Sequence, residues 1–63
     1  MSTMHVLRQL ERDCLISQSQ FDTYKSMIHH GGIDCVKELN RQGLISDETA
    51  RETIMEIKLE YTE

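Results

Sequence analysis

The sequence contains no proline, and only 5% of its residues are aromatic. Without proline nothing breaks a helix outright, and no stretch alternates apolar and polar residues as a half-buried strand does. No apolar run approaches the roughly 18 residues of a membrane span, and the N-terminus lacks the basic region and apolar run of a signal peptide. These absences predict an all-α protein that works in the cytoplasm and has no membrane partner.

The small size and acidity of the chain limit the kinds of partner that it can have. At 63 residues it should form a single domain, 1–63, that buries only about 60% of its unfolded surface. Such small folds often gain stability from a partner subunit, so we expect a homo-oligomer, in the simplest case a dimer. The formal net charge is −4, and the whole excess lies in residues 47–63. This balance disfavours nucleic acid as a direct ligand, because phosphate binding needs Lys and Arg.

The chain repeats one unit. The tripeptide Leu-Ile-Ser occurs at 15–17 and at 44–46, and aligning the two copies makes six of the surrounding 23 positions identical. Repeated units of this kind predict one supersecondary structure used twice. We therefore expect repeat one at 3–30, a Gly-Gly joint at 31–32 and repeat two at 33–61.

Apolar residues at helical spacing place two helices in each repeat. The predicted ranges are 4–13, 18–29, 34–42 and 47–60. The fold expected is all-α, with four short helices forming two helix-turn-helix hairpins that pack into a small bundle.

Local signals predict where these helices begin and end. Ser17 and Gln20 have the spacing of a capping box, and Ser46 occupies the same place before the fourth helix. Asp34 is expected to cap the third helix, and Gly43 to end it in the left-handed conformation. Ser2 or Thr3 would cap the first helix. The predicted core is Leu7, Leu10, Leu15, Ile16, Phe21, Tyr24, Ile28, Val36, Leu39, Leu44, Ile45, Ile54 and Ile57, with Ala50 and Tyr61 on the inward face of the fourth helix.

The second repeat resembles a known family. The stretch Val-Lys-Glu-Leu at 36–39, followed by Arg41 and by Gly-Leu-Ile-Ser at 43–46, resembles the SHOCT domain, a short two-helix unit. The resemblance would occur in tandem here, with Cys14 in the glycine position of the first copy and Ala50 in an aromatic position of the second. It implies an interaction or oligomerisation module and brings no catalytic residues.

The cysteines and histidines give little support for a metal site or a catalytic site. Zinc prefers cysteine and histidine ligands, and the chain offers Cys14, Cys35, His29 and His30. The sequence has no Cys-x-x-Cys and no spaced His pair, so no metal or cofactor is predicted. Cys35 near the start of a helix would have a lowered thiol pKa, yet no third group completes a nucleophilic site. We expect two free thiols that pack as small apolar side chains, and no enzyme.

Cations of the first repeat offer an alternative function. Arg8, Arg12 and Lys25 could bind nucleic acid directly. Arg12 and Arg41 occupy the same repeat position, but each ends a helix, where a cation offsets the dipole and can bond the last carbonyls. Direct nucleic-acid binding therefore stays an alternative to a protein-interaction role.

The fourth helix carries the feature that capping and core packing explain least. Glutamates from Glu48 to Glu63 recur every three or four residues on one face, and Met55 and Leu59 lie beside them, away from the expected core. Exposed apolar groups supply contact area, and acids steer a basic partner. Alternatively, Met55 and Leu59 could form the seam of a homodimer. The sequence thus predicts a regulatory protein-interaction module, or more narrowly an antirepressor or inhibitor occupying the basic surface of a nucleic-acid-binding protein. The predicted partner-binding residues are Glu48, Glu52, Met55, Glu56, Leu59 and Glu60.

Overall fold

The computed structural model describes residues 2–61 as four α-helices joined by short connections. Helix α1 spans Thr3–Arg12, α2 spans Gln18–Ser26, α3 spans Ile33–Arg41 and α4 spans Asp47–Tyr61. Helix α1 packs on α2, α3 packs on α4, and the two hairpins meet chiefly through α1 and α3. The prediction of an all-α bundle of two hairpins is confirmed. None of these four helices is both long enough and apolar enough to cross a bilayer.

The two hairpins turn with the same backbone geometry at equivalent positions. Cys14 after α1 and Gly43 after α3 both adopt the left-handed conformation, with φ of 61° and 78°. The following amides, of Leu15 and Leu44, donate to the carbonyl five residues earlier at 2.9 and 3.0 Å. This Schellman arrangement satisfies carbonyls at the end of a helix. The predicted stop at Gly43 is confirmed, and Cys14 takes the same conformation without the freedom of glycine.

Serine hydroxyls cap three of the helices. Ser2 Oγ accepts from the amide three residues later at 3.1 Å, and Ser46 Oγ does the same at 3.1 Å. Ser17 forms the predicted capping box. Its hydroxyl accepts from the Gln20 amide at 3.1 Å, while Gln20 Oε1 accepts from the Ser17 amide at 2.8 Å. Each cap satisfies an amide that has no partner within its own helix.

The start of α3 differs from the prediction. Asp34 lies inside the first turn, and Gly32, at φ 87°, holds the N-cap position without a side-chain bond. The Gly-Gly joint lets the chain enter the helix earlier, because left-handed backbone turns it toward α1. There Thr3 Oγ1 donates to the Gly31 carbonyl at 2.7 Å. A Cβ on Gly32 would lie only 2.7 Å from Thr3 Oγ1, so the joint is packed tightly against the start of α1.

Two clusters of buried side chains form the core. Val6, Leu7 and Leu10 of α1 align in the repeat with Cys35, Val36 and Leu39 of α3, and all six are buried. The same inward positions are therefore used in both hairpins. The larger cluster contains Val6, Leu7, Leu10, Ile16, Cys35 and Leu39, and the smaller one contains Val36, Ala50 and Ile57. The other predicted core residues that pack against them are Phe21, Tyr24, Ile28, Leu44, Ile45 and Ile54.

The prediction of a buried Leu15 is wrong. In the first hairpin Ile16 takes the inward position of the turn at 4% exposure, and Leu15 is 54% exposed. In the second hairpin Leu44 and Ile45 share that position and are both half-buried. The side chain of Tyr61, expected on the inward face of α4, lies outside the described residues.

The second helices of the two hairpins differ in length. Helix α2 ends at Ser26, three residues before the predicted end, and has nine residues, whereas α4 has 15. Since Ser26 aligns with Met55, α4 continues for six residues beyond the end of its counterpart. Ile57, 2% exposed, holds this extension against the smaller cluster.

Candidate interaction surface

The outer face of α4 presents two exposed apolar side chains. Met55 is 58% and Leu59 is 73% exposed. Because an α-helix turns by about 100° per residue, the two lie about 40° apart, roughly opposite the buried Ile57. We call Met55 and Leu59 the outer strip. The core contacts of α4 fix this strip toward solvent, as the sequence predicted.

Acidic side chains line one side of the outer strip. Glu52, Glu56 and Glu60 are exposed, and successive members are about 40° apart around the helix. Glu48 is also exposed and lies in line with the strip, toward the start of α4. We call Glu52, Glu56 and Glu60 the acidic flank. Glu63, the last member of the predicted series, lies outside the described residues.

Basic side chains line the other side of the outer strip. Arg51 and Lys58 are exposed, about 60–80° around the helix from the centre of the strip. With Ile54 and Met55 they border a shallow depression. We call Arg51 and Lys58 the basic flank. These cations are not among the predicted site residues, although the 100° helical turn separates them from the acids in the sequence alone.

Shallow depressions therefore border the strip on both sides. On the acidic side, Leu59, Glu56 and Glu60 surround a second depression together with Ser2 from the start of α1. A partner seated on the strip would thus contact apolar groups centrally and charges of opposite sign at the two edges. Such an apolar centre with a charged rim is the usual composition of a protein interface.

The first hairpin does not carry this surface. Its residues at the positions of Met55 and Leu59 are Ser26 and His30. Both are exposed, and neither is apolar. Ser26 is the last residue of α2 and His30 lies beyond its end, so the first hairpin has no helical counterpart of the outer strip, which belongs to the longer α4.

The thiols do not form a reactive site. Cys35 is fully buried, its Sγ lies 3.5 Å from the Tyr24 carbonyl, and burial raises its pKa to about 11. The expected lowering of this pKa by the helix N-terminus is wrong, because desolvation of the thiolate dominates. Cys35 packs as the predicted small apolar side chain, whereas Cys14 is exposed; both are free. Within residues 2–61 no three His, Cys, Asp or Glu side chains are placed to hold a metal.

Arg12 and Arg41 each lie in the last turn of a helix, as predicted, but Arg41 bonds a side chain. Arg41 donates from Nε and Nη2 to the two carboxylate oxygens of Glu38, at 3.0 and 2.6 Å. These hydrogen bonds, with one from Gln42, lower the pKa of Glu38. Arg41 is thus oriented by a carboxylate and not by terminal carbonyls. Arg12 ends α1 and is exposed, as are Arg8 and Lys25, so direct nucleic-acid binding stays an untested prediction.

Comparison of the chain with protein-family models, with curated proteins and with solved structures gives no match.

Proposed function

We propose that this protein is a non-enzymatic interaction and oligomerisation module with a regulatory role, which binds protein partners through the outer face of α4. The observation that carries the proposal is the exposure of Met55 and Leu59 between two charged flanks. The aligned residues of the first hairpin are Ser26, at the end of α2, and His30, beyond that end, so only the longer α4 presents this apolar pair. The partner-binding residues are Glu48, Glu52, Met55, Glu56, Leu59 and Glu60.

The outer strip can supply useful binding energy. Full burial of a Met or Leu side chain contributes about 1.5–3 kcal/mol, and each of these two still exposes more than half of its surface. A partner that covers both would gain roughly 2–4 kcal/mol, before the cost of association. The surrounding charges would mainly select the partner and its orientation.

The resemblance to the SHOCT domain supports the same class of function. It rests on the pattern from Val36 to Ser46, in which Gly43 is a helix stop and Ser46 a helix cap. The repeated hairpin would serve as the scaffold. The differences between the two copies would then carry the partner specificity.

A repeat-exchange variant tests the proposal. Met55→Ser with Leu59→His gives the second hairpin the residues that the first carries, and Leu15→Ser removes an equally exposed apolar side chain elsewhere. We expect proteins that copurify with the wild type from a source-cell lysate to be lost with the exchange variant and kept with Leu15→Ser. Unchanged recovery with the exchange variant, at unchanged stability, would contradict the proposal.

The acidic flank favours a second, narrower candidate. Glu52, Glu56 and Glu60 together present three carboxylates to one side of the strip. Such a row complements the basic surface of a nucleic-acid-binding protein and would allow the chain to act as an inhibitor or antirepressor. Charge attraction of this type weakens as salt rises, with a screening length of about 8 Å at physiological ionic strength.

Paired charge reversals separate this candidate from a mainly apolar contact. Glu52→Lys with Glu60→Lys changes the acidic flank, and Asp13→Lys with Asp22→Lys makes the same change of net charge on the first hairpin. An inhibitor of a basic protein should lose its partner only with the first pair, and its affinity should fall at least tenfold between low and high salt. Salt-independent binding that tolerates the flank reversal would exclude the candidate.

A further inference from the structure

The two flanks of the outer strip are complementary to each other. Arg51 and Lys58 lie on one side, and Glu52, Glu56 and Glu60 on the other. A surface with opposite charges at its two edges can match a second copy of itself. Whether it does depends on the relative direction of the two helices.

Parallel and antiparallel pairing differ in which flanks meet. In a parallel pair, related by a twofold axis along the helices, the left flank of one helix faces the right flank of the other. Basic flanks then meet acidic flanks on both sides. In an antiparallel pair each flank faces its own copy, so acids oppose acids and cations oppose cations. Like charges brought together at an interface disfavour that arrangement.

We infer that the outer face of α4 binds a second copy of the chain, with the two α4 helices parallel and Met55 and Leu59 packed along the twofold axis. This rests on the proposed function and names the partner of the same surface. The positions agree with a coiled-coil seam. With Met55 at d and Leu59 at a, Arg51 falls at g and Glu56 at the e position that g faces across a parallel pair.

These heptad positions also limit the length of α4 that can take part in the contact. Glu52 falls at the a position one turn before Met55, where it would meet Glu52 of the second copy. Like charges there end the seam, so the contact is confined to the C-terminal half of α4. An interface with one apolar pair from each copy is well below the standard size, and we expect a weak dimer with a dissociation constant on the order of 1 mM.

Sedimentation of the purified full chain tests the inference through variants that retain wild-type helicity. We expect Arg51→Glu to raise the dissociation constant of the dimer about threefold to tenfold, because two symmetry-related pairs are lost. Adding Glu56→Arg should restore it to within about twofold of the wild type. Lys25→Glu, the same charge change on an exposed residue of α2, is the matched control and should have little effect. Glu52→Leu should extend the seam and tighten the dimer at least tenfold.

The outcomes separate this inference from the proposed function. A wild type that stays monomeric up to about 2 mM would overturn the parallel dimer. So would an Arg51→Glu variant whose dissociation constant equals that of Lys25→Glu. An Arg51→Glu, Glu56→Arg variant that associates more weakly than Arg51→Glu alone would also overturn it. Purified protein contains no other partner, so these results leave the lysate experiment with the repeat-exchange variant as an independent test. Loss of partners there alongside a monomeric wild type would keep the interaction surface and reject the second copy as its occupant.

Discussion

The hydroxyl of Thr3 donates a 2.7 Å hydrogen bond to the carbonyl of Gly31, joining the first turn of α1 to the connection between the hairpins. Thr3 is only 2% exposed. The bond therefore satisfies a backbone carbonyl at a place where water has little access. Together with the buried cluster that Leu7 and Leu10 share with Cys35 and Leu39, it holds the two hairpins against each other.

Replacing this hydroxyl should weaken the whole fold. Thr3→Val keeps the shape and leaves the Gly31 carbonyl without its partner, which should lower the free energy of unfolding by about 1–3 kcal/mol. Thr23→Val is the control. It removes an exposed hydroxyl that donates to the Ser19 carbonyl and should lower the free energy of unfolding by less than about 0.5 kcal/mol. Urea denaturation measures both. Equal effects would mean that the joint does not depend on Thr3.

The glycines at 32 and 43 should respond differently to alanine. Both have left-handed backbone, which costs an L-residue about 1–2 kcal/mol. A Cβ at Gly43 meets nothing within 4 Å, whereas one at Gly32 meets Thr3 Oγ1 at 2.7 Å. Gly32→Ala should therefore destabilise by clearly more than Gly43→Ala. The added Cβ would also lie 3.0 Å from the Thr3 methyl carbon Cγ2, so adding Thr3→Ser, which removes that methyl and keeps the hydroxyl, should recover part of the excess in the same urea measurement.

Cys14 offers a stabilising substitution. It has the left-handed backbone that Gly43 has in the second hairpin, at φ 61°. Cys14→Gly removes the strain of the left-handed conformation but raises the conformational entropy of the unfolded chain. We expect the free energy of unfolding to rise by about 0.5–1 kcal/mol. The melting temperature measured under reducing conditions tests it. A loss of stability would show that the thiol makes a contact worth more than the backbone strain.

The buried thiol should make stability fall in alkali. Burial raises the pKa of Cys35 from its ordinary 9.0 to about 11, so the unfolded thiol ionises first. Its contribution is fully present below pH 9 and is lost as pH rises toward 11, with a slope of at most about 1.4 kcal/mol per pH unit. Cys35→Ala lacks this group. The difference in unfolding free energy between the wild type and Cys35→Ala should stay constant below pH 9 and narrow between pH 9 and 11, and a difference that stays constant through that range would contradict the raised pKa.

Most of the fold could be predicted because its signals are local. The stop at Gly43 and the caps at Ser17 and Ser46 depend on hydrogen bonds between residues close in sequence. Val6 was missed because α1 contacts both α2 and α3, which makes its buried face wider than a stripe facing one neighbour. Asp34 was misplaced for a similar reason: the joint against Thr3, a contact distant in sequence, decides where α3 begins.

The candidate surface was predictable in part. Helical periodicity placed Met55 and Leu59 away from the core, and the structure leaves both exposed. The predicted site leaves out Arg51 and Lys58, because they are isolated cations in an acidic segment and only the angular order around α4 puts both on the other side of the strip from the acids. The identity of a partner depends on a second surface, and that surface is not encoded in this chain unless the partner is another copy of it.

Photo-crosslinking tests the central claim, that the outer strip of α4 contacts a protein partner, most directly. Benzoylphenylalanine would replace Leu59 in one variant and Leu15, the exposed leucine of the first hairpin, in another, both expressed in the source cells. We predict a discrete crosslinked species from position 59 that is absent from position 15, with a mass that identifies its partner as a second copy or another protein. No crosslink at position 59, or the same products from both positions, would contradict the account.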